Sequence, residues 1–423
     1  MWKDAEGESL VFGPTRGPSF DGTRTVGEAN GGGEGRREDS VDYPLGTSLR
    51  GPKLFLRERR GSTNIGQMAK PFVSVLIDTY NHERFIEKAI VSVLEQDYPE
   101  EDREILVVDD GSTDSTAEIV RKFEPRVRLL RKANGGQASA FNAGIPECKG
   151  EIVAFLDGDD WWAANKLTSV AEAMASEATV GIVGHGIVIV GRDGREQVEI
   201  LRNGFRFRAD TIEGAKLYRR RGAFLGTSRM TIRMELLRRI GSVPESIKIQ
   251  ADEYFYTLAA ALSDVLILEP ALTYYRLHEG NRFQITERPA LEMLRNKQRA
   301  LATLVEVLLK KLEEFGVESS ARETALEFTK ASADQLRLLA EGGWPWETVK
   351  TEWSLYRVQH PDARLSHKVF KLLILAGALV MTPRGFYRIQ GSLTRNSLYR
   401  RARERWLPFP EMEHVQKGER AGS

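Results

Sequence analysis

From Phe72 onward, apolar residues fall into short unbroken runs separated by stretches of helical spacing. Phe72-Val-Ser-Val-Leu-Ile77, Glu104-Ile-Leu-Val-Val108, Val127-Arg-Leu-Leu130 and Ile152-Val-Ala-Phe-Leu156 read as buried strands. Between the first two, Phe85, Ile86, Ala89, Ile90, Val93 and Leu94 form one helical stripe, with Glu and Lys opposite. Ala117, Ile119, Val120 and Phe123 mark a second helix, capped by Thr113 or Asp114. A third opens at Asn134-Gly-Gly-Gln and ends near Gly144, where glycine can supply a left-handed cap. This alternation predicts βαβ units, right-handed crossovers and a mainly parallel sheet.

Farther along, Thr179 to Val190 predicts a strand containing Gly184-His-Gly186, then a hairpin around Gly191-Arg-Asp-Gly194. His185 is expected to be a packed strand residue. Gly226 to Ile232 and Leu272 to His278 read as further strands, and a helix begins at Ile249-Gln-Ala-Asp-Glu253. Beyond about Glu287 the spacing is helical over Leu291–Phe315, Ala321–Glu341 and Trp346–Val358. The start of the chain is rich in Gly, Arg, Glu, Ser and Thr with no periodicity, so it is expected to be disordered. Three parts follow: a disordered segment 1–70, an α/β domain 71–285 and a helical region 286–423.

In the α/β part, the strand interiors are apolar while the loops after them, Asp78–Asn81, Asp109–Asp114 and Asp157–Asp160, are polar. The topology brings these loops to one sheet edge, the layout of a nucleotide crevice. Asp157-Gly-Asp-Asp160 sets three carboxylates side by side. They repel unless neutralised, which points to Mg²⁺ or Mn²⁺, hard ions that share carboxylates with phosphates. The plainer reading is a solvated acidic turn.

With 423 residues and 41% hydrophobic content, the chain can bury a sizeable core. A net charge of +1 offers no bulk attraction for nucleic acid, and none is expected as a partner. One cysteine, Cys148, excludes an intrachain disulfide framework and suits a reducing compartment. No secretory h-region or run long enough for an ordinary spanning helix is visible.

Taken together, Val73–Asn81, Val107–Asp114, Asn134-Gly-Gly-Gln with Asn142-Ala-Gly144, and Phe155–Asp160 resemble family 2 glycosyltransferases over roughly residues 72–285. The resemblance implies a GT-A-type, Rossmann-like mixed sheet with helices on both faces. It implies a nucleoside-diphosphate sugar donor, UDP foremost, an inverting transfer, and Mn²⁺ or Mg²⁺ as cofactor. By the same resemblance Thr79, Tyr80 and Asn81 would line base and ribose, and Asp110 or Asp109 would accept from uracil N3–H. Gly135, Gly136, Gln137 and Asn142 belong to the stretch where backbone approaches the nucleotide. Asp157 would meet the ribose, Asp159 would hold the metal, and Asp160 competes for that role. Where the family has Glu-Asp, this chain has Ala251-Asp252, with Glu253 shifted by one. Asp252 is therefore the expected base and Glu253 the alternative. Arg276 and His278 would clamp the leaving diphosphate. Thr227 and Ser228 are candidates to face the sugar, and Asp78 stands where the family often has Pro.

Val369 to Met381 is apolar but for Lys371, too short to span a bilayer, and flanked by Lys368, Arg384 and Arg388, with Arg395, Arg400, Arg401, Arg403 and Arg405 further on. Two readings stay open: docking on an anionic membrane surface by the helix 369–382, or a buried helix with a basic tail. The expected partners are the donor and a carbohydrate or lipid-linked acceptor, in the cytoplasm or at the membrane's inner face. A catalytically weak binding or scaffold module is the alternative function. A receiver-type domain fits poorly, since its acidic pair should follow the first strand and Asp109-Asp110 follows the second.

Overall fold

In a computed structural model the described residues are 70–201, 203–247, 250–278, 291–360, 363–395 and 413–415. The expectation for residues 1–69, and that for the cations beyond Arg395, lies outside them.

The four apolar runs are strands and the stripes between them are helices: β1 (Val73–Thr79), α1 (Ile86–Leu94), β2 (Arg103–Asp109), α2 (Thr116–Arg121), β3 (Arg128–Arg131), α3 (Gln137–Gly144) and β4 (Ile152–Asp157). They form a parallel sheet in the order β3-β2-β1-β4. The register sets Thr79 beside Asp109 and Asp78 beside Asp157. The polar loops therefore share one edge, as the alternation predicts.

Next come β5 (Trp161–Trp162), α4 (Lys166–Ser176), β6 (Val180–Val190), β7 (Glu196–Ile200), β8 (Phe205–Phe207), α5 (Ile212–Arg221), β9 (Thr231–Arg233), α6 (Met234–Ile240), α7 (Ala251–Leu262) and β10 (Asp264–Arg276). This half departs from a mainly parallel sheet. β9 runs antiparallel to both β4 and β6, β7 is antiparallel to β6, and β10 lies parallel to β6 while also pairing with β5 and β8. Antiparallel neighbours need no crossover helix, which is why the sheet extends here through short strands and hairpins. Within Gly226–Ile232, read as one strand, Thr227–Arg229 is a 3₁₀ turn and only the end is strand.

The sheet carries a core on each face. Val73, Val75 and Ile77 pack with α1 and α4, whereas Leu76, Val108 and Phe155 pack with α3 and α7. The remaining helices are α8 (Leu291–Glu314), α9 (Ser319–Glu341), α10 (Pro345–Gln359), α11 (Leu365–Ala378) and α12 (Pro383–Arg395), and β11 (Glu413–Val415) pairs with β7. Leu304, Leu308 and Leu312 of α8 and Leu326 of α9 join the core that holds α7. The docking helix expected over 369–382 is α11, which starts earlier and ends at Ala378. No described helix is long and apolar enough to cross a membrane.

Gly144 does not cap α3 in the left-handed conformation. Its φ is −83°, and a 3₁₀ turn, Ile145–Glu147, continues the chain. Glycine is needed there for space, because a Cβ would sit 2.7 Å from both Leu76 Cδ1 and Val108 Cγ2. Glycine to alanine in an open helix stabilises by about 1 kcal/mol. Gly144→Ala should do the opposite, costing roughly 1–3 kcal/mol by overpacking, read as a lower urea midpoint for the full chain.

Candidate active site

Two loops, after β1 and β2, are sewn together by short polar side chains. Asn81 N–H donates to Ser112 Oγ (2.9 Å), Thr113 N–H to Asn81 Oδ1 (2.8 Å) and His82 N–H to Thr116 Oγ1 (2.9 Å). Asp114, rather than Thr113, receives the first N–H of α2, from Thr116 at 3.0 Å. Thr79 is buried and Tyr80 half-buried at this edge.

Asp109 is wholly buried. It accepts from Ser112 N–H (2.8 Å) and pairs with Arg131 Nε (3.2 Å), so it shapes its own loop. Asp110 accepts from Gly135 N–H (3.0 Å), Gly136 N–H (2.6 Å) and Lys132 Nζ (2.7 Å). In this structure the Asp110 oxygens hold the glycine loop. Asn142 is engaged within the protein. Its carboxamide bridges Val243, accepting from N–H and donating to the carbonyl, both at 2.8 Å, and ties α3 to the loop after α6.

Asp157, Asp159 and Asp160 each offer an oxygen within 4.8 Å of the others. Gly158 between them is closely packed, since a Cβ would lie 2.7 Å from Thr79 Oγ1 and 3.0 Å from His82 Nδ1. Asp160 uses both oxygens inside the protein, accepting from Ser228 Oγ (2.6 Å) and Arg276 N–H (3.0 Å). Asp159 pairs with His278 Nε2 at 2.8 Å, and His82 Nε2 stands 3.9 Å away. Arg276 Nε donates to the Asp159 carbonyl (3.1 Å). Gln137 Nε2 reaches Asp157 (3.0 Å), Asp78 (3.4 Å) and Thr227 Oγ1 (3.3 Å).

The electrostatics follow from crowding without water. Burial, with the charge of Asp159, pushes Asp78 up to about 7. Burial and then the charges of Asp78 and Asp159 drive Asp157 well above the carboxylate range, and burial with Asp159 does the same to Asp160. Burial also pushes Asp159 up, but the His278 hydrogen bond and the charges of His82 and His278 outweigh it and leave it lowered. This donor set fits a divalent cation, whose charge would relieve the repulsion.

Asp252 and Glu253 begin α7 and part ways. Asp252 accepts from Thr227 N–H (3.3 Å) and is half-buried, where the rest of α7 is buried. Glu253 faces the other side, accepting from Thr329 Oγ1 on α9 and from Gln250 Nε2 (2.9 Å). Burial raises Asp252 and lifts Glu253 to about 7. Thr227 and Ser228 do not stand open to a sugar. Both are buried, and they link Asp252, Gln137, Asp157 and Asp160.

Residues 74–241 match the family model described as Glycosyl transferase family 2. EpsJ, a glycosyltransferase of Bacillus subtilis, is 30% identical over 235 residues, 54% of this chain and 67% of that protein. The chain belongs to glycosyl transferase family 2. Within it, the glycosyltransferase alr2836 of Nostoc is 33% identical over 214 residues, 49% of this chain and 66% of that one. TuaG of Bacillus subtilis, a glycosyltransferase named for teichuronic acid biosynthesis, is 36% identical over 129 residues, 30% of this chain and half of TuaG. The chain thus spans about two thirds, or less, of these relatives' lengths.

His82, Lys132, Asp78 and Thr329 also stand among these groups. Lys132 and His82 carry no periodic signal, although Lys132 lies two residues before Asn134-Gly-Gly-Gln137 and His82 directly after Asn81. Asp78 stood out only as a departure, yet its register with Asp157 follows once two parallel strands are aligned. Thr329 had no signal, being an interior position of a distant helix.

Glu253 provides a pH test. Its proton is bound more tightly in the folded state, about 7 against 4.5, so folding stability falls as pH rises across that window. Glu253→Gln keeps an acceptor for Thr329 and removes the titration. The variant's urea midpoint should lose less than wild type's between those two values.

Proposed function

We propose that this protein moves a sugar from a nucleoside-diphosphate sugar to an acceptor hydroxyl with inversion. Family membership supports the reaction class. The observation that carries the assignment of roles is that Asp252 is half-buried beside Thr227 and the acid cluster, while the rest of α7 is buried and Glu253 is committed to α9. Asp252 then takes the acceptor hydroxyl proton as the new C–O bond forms. The anomeric C–O bond to phosphate breaks, and its electron pair leaves with the diphosphate. Arg276 and His278 stand against Asp159 at the place where that charge grows.

Asp157 and Asp159 would hold Mn²⁺ or Mg²⁺; Asp160, with both oxygens engaged, supports the loop. When bound, such an ion neutralises diphosphate charge as a Lewis acid. Thr79, Tyr80 and Asn81 would line the base and ribose, and UDP is the leading nucleotide by family resemblance. For the acceptor we favour a surface carbohydrate or lipid-linked glycan, a class to which the name of TuaG also points, and a cytoplasmic setting.

Nucleotide release across a donor panel with Mn²⁺ tests this. Asp252→Asn should lower kcat by about 10²–10⁴ while leaving donor binding intact. Because burial raises Asp252 and the base form is the carboxylate, kcat should climb with pH until that group has titrated. Asp159→Ala, or chelation by EDTA, should remove metal-dependent release, and added Mn²⁺ should restore it only in the chelated wild type. A wild type as inert as both variants on every donor would instead identify a binding module.

A further inference from the structure

α11 is apolar on its outward side as well as its inward one. Its inward side carries Leu375 and Ala378, but also Lys371, whose Nζ lies 2.9 Å from the buried carboxylate of Glu352 on α10. Its outward side is almost entirely apolar. Leu365 is 77% exposed, Leu372 50% and Leu373 67%, with Val369 and Phe370 beside them and Val380, 83% exposed, just past its end. Isolated exposed apolar residues are ordinary, whereas a contiguous apolar face marks an interaction surface. At about 21 Å for its fourteen residues, α11 is shorter than the roughly 30 Å hydrocarbon core, so it can lie in a membrane interface but not cross it.

Charge identifies what covers this face. From Ala363 to Arg395 there is no Asp or Glu, while Arg364 precedes the apolar stretch and Arg384 and Arg388 follow it in sequence. Arg384 lies along main-chain carbonyls, those of Leu339 and Ala340, at the start of α12. Two copies of the chain meeting through this face would bring like charges together, since a two-fold interface pairs each patch with itself. An apolar strip whose own sequence neighbours are basic and not acidic instead matches acyl chains beneath anionic headgroups.

We propose that α11 and the start of α12 form a monotopic docking surface for an anionic lipid bilayer, with α11 lying in the interface plane. This does not depend on the transferase reading, because it concerns a face built by α10, α11 and α12. Flotation of the full chain with vesicles tests it. Wild type should float with vesicles of phosphatidylcholine and phosphatidylglycerol, and far less with phosphatidylcholine alone. Leu373→Glu combined with Val380→Glu should abolish flotation, and Arg388→Gln should weaken it by about fivefold. Both outward residues lack core contacts, so the thermal midpoint of the double variant should match wild type's. The proposal is overturned if wild type does not float, or if the double variant floats equally through the basic tail. Self-association lost in the double variant, without vesicle binding in wild type, would also overturn it and assign the face to a second copy.

Discussion

Four carboxylates, those of Asp78, Asp157, Asp159 and Asp160, stand together at the ends of β1 and β4 and in the loop beyond. Their repulsion is the constraint the site answers to. Gln137 reaches from α3 to two of them, Ser228 donates from the turn before β9, and the end of β10 brings Arg276 and His278. Each support comes from a different element, so the second half of the sheet serves to place hydrogen-bond donors around the acids of the first. Low dielectric makes every such bond stronger and any missing one costlier.

The parallel half of the fold was legible because its signals are local. A run such as Val73–Ile77 is apolar enough to be a strand buried on both faces, and the acid that follows it must lie at the carboxyl end. The second half was less legible. Its strands β5, β8 and β9 span only two or three residues, too few for a period to show. Gly144 illustrates a different limit. A glycine closing a helix has two possible reasons, conformation or space, and only the positions of Leu76 and Val108 decide between them.

For the site, residue types were readable and partnerships were not. Asp109, Asp110 and Asn142 belong to the motifs that suggest nucleotide contact, yet their polar atoms join protein to protein. A motif reports that a loop has a required shape. It does not say whether a given side chain touches the ligand or holds the backbone that does. Asp252 and Glu253, adjacent in sequence, separate for a simple reason: successive residues on a helix point about 100° apart, toward the acids in one case and toward α9 in the other.

The contact between Glu253 and Thr329 also bears on how such a chain can be inherited. The family-matching stretch ends at residue 241, before α7 begins. α7 has no solvent face of its own and is walled in partly by α8 and α9. The helical region is therefore not a detachable cassette that lineages can exchange while the chemistry stays behind. Any drift in its packing shifts the helix bearing Asp252, so the two halves of the chain must diverge in step.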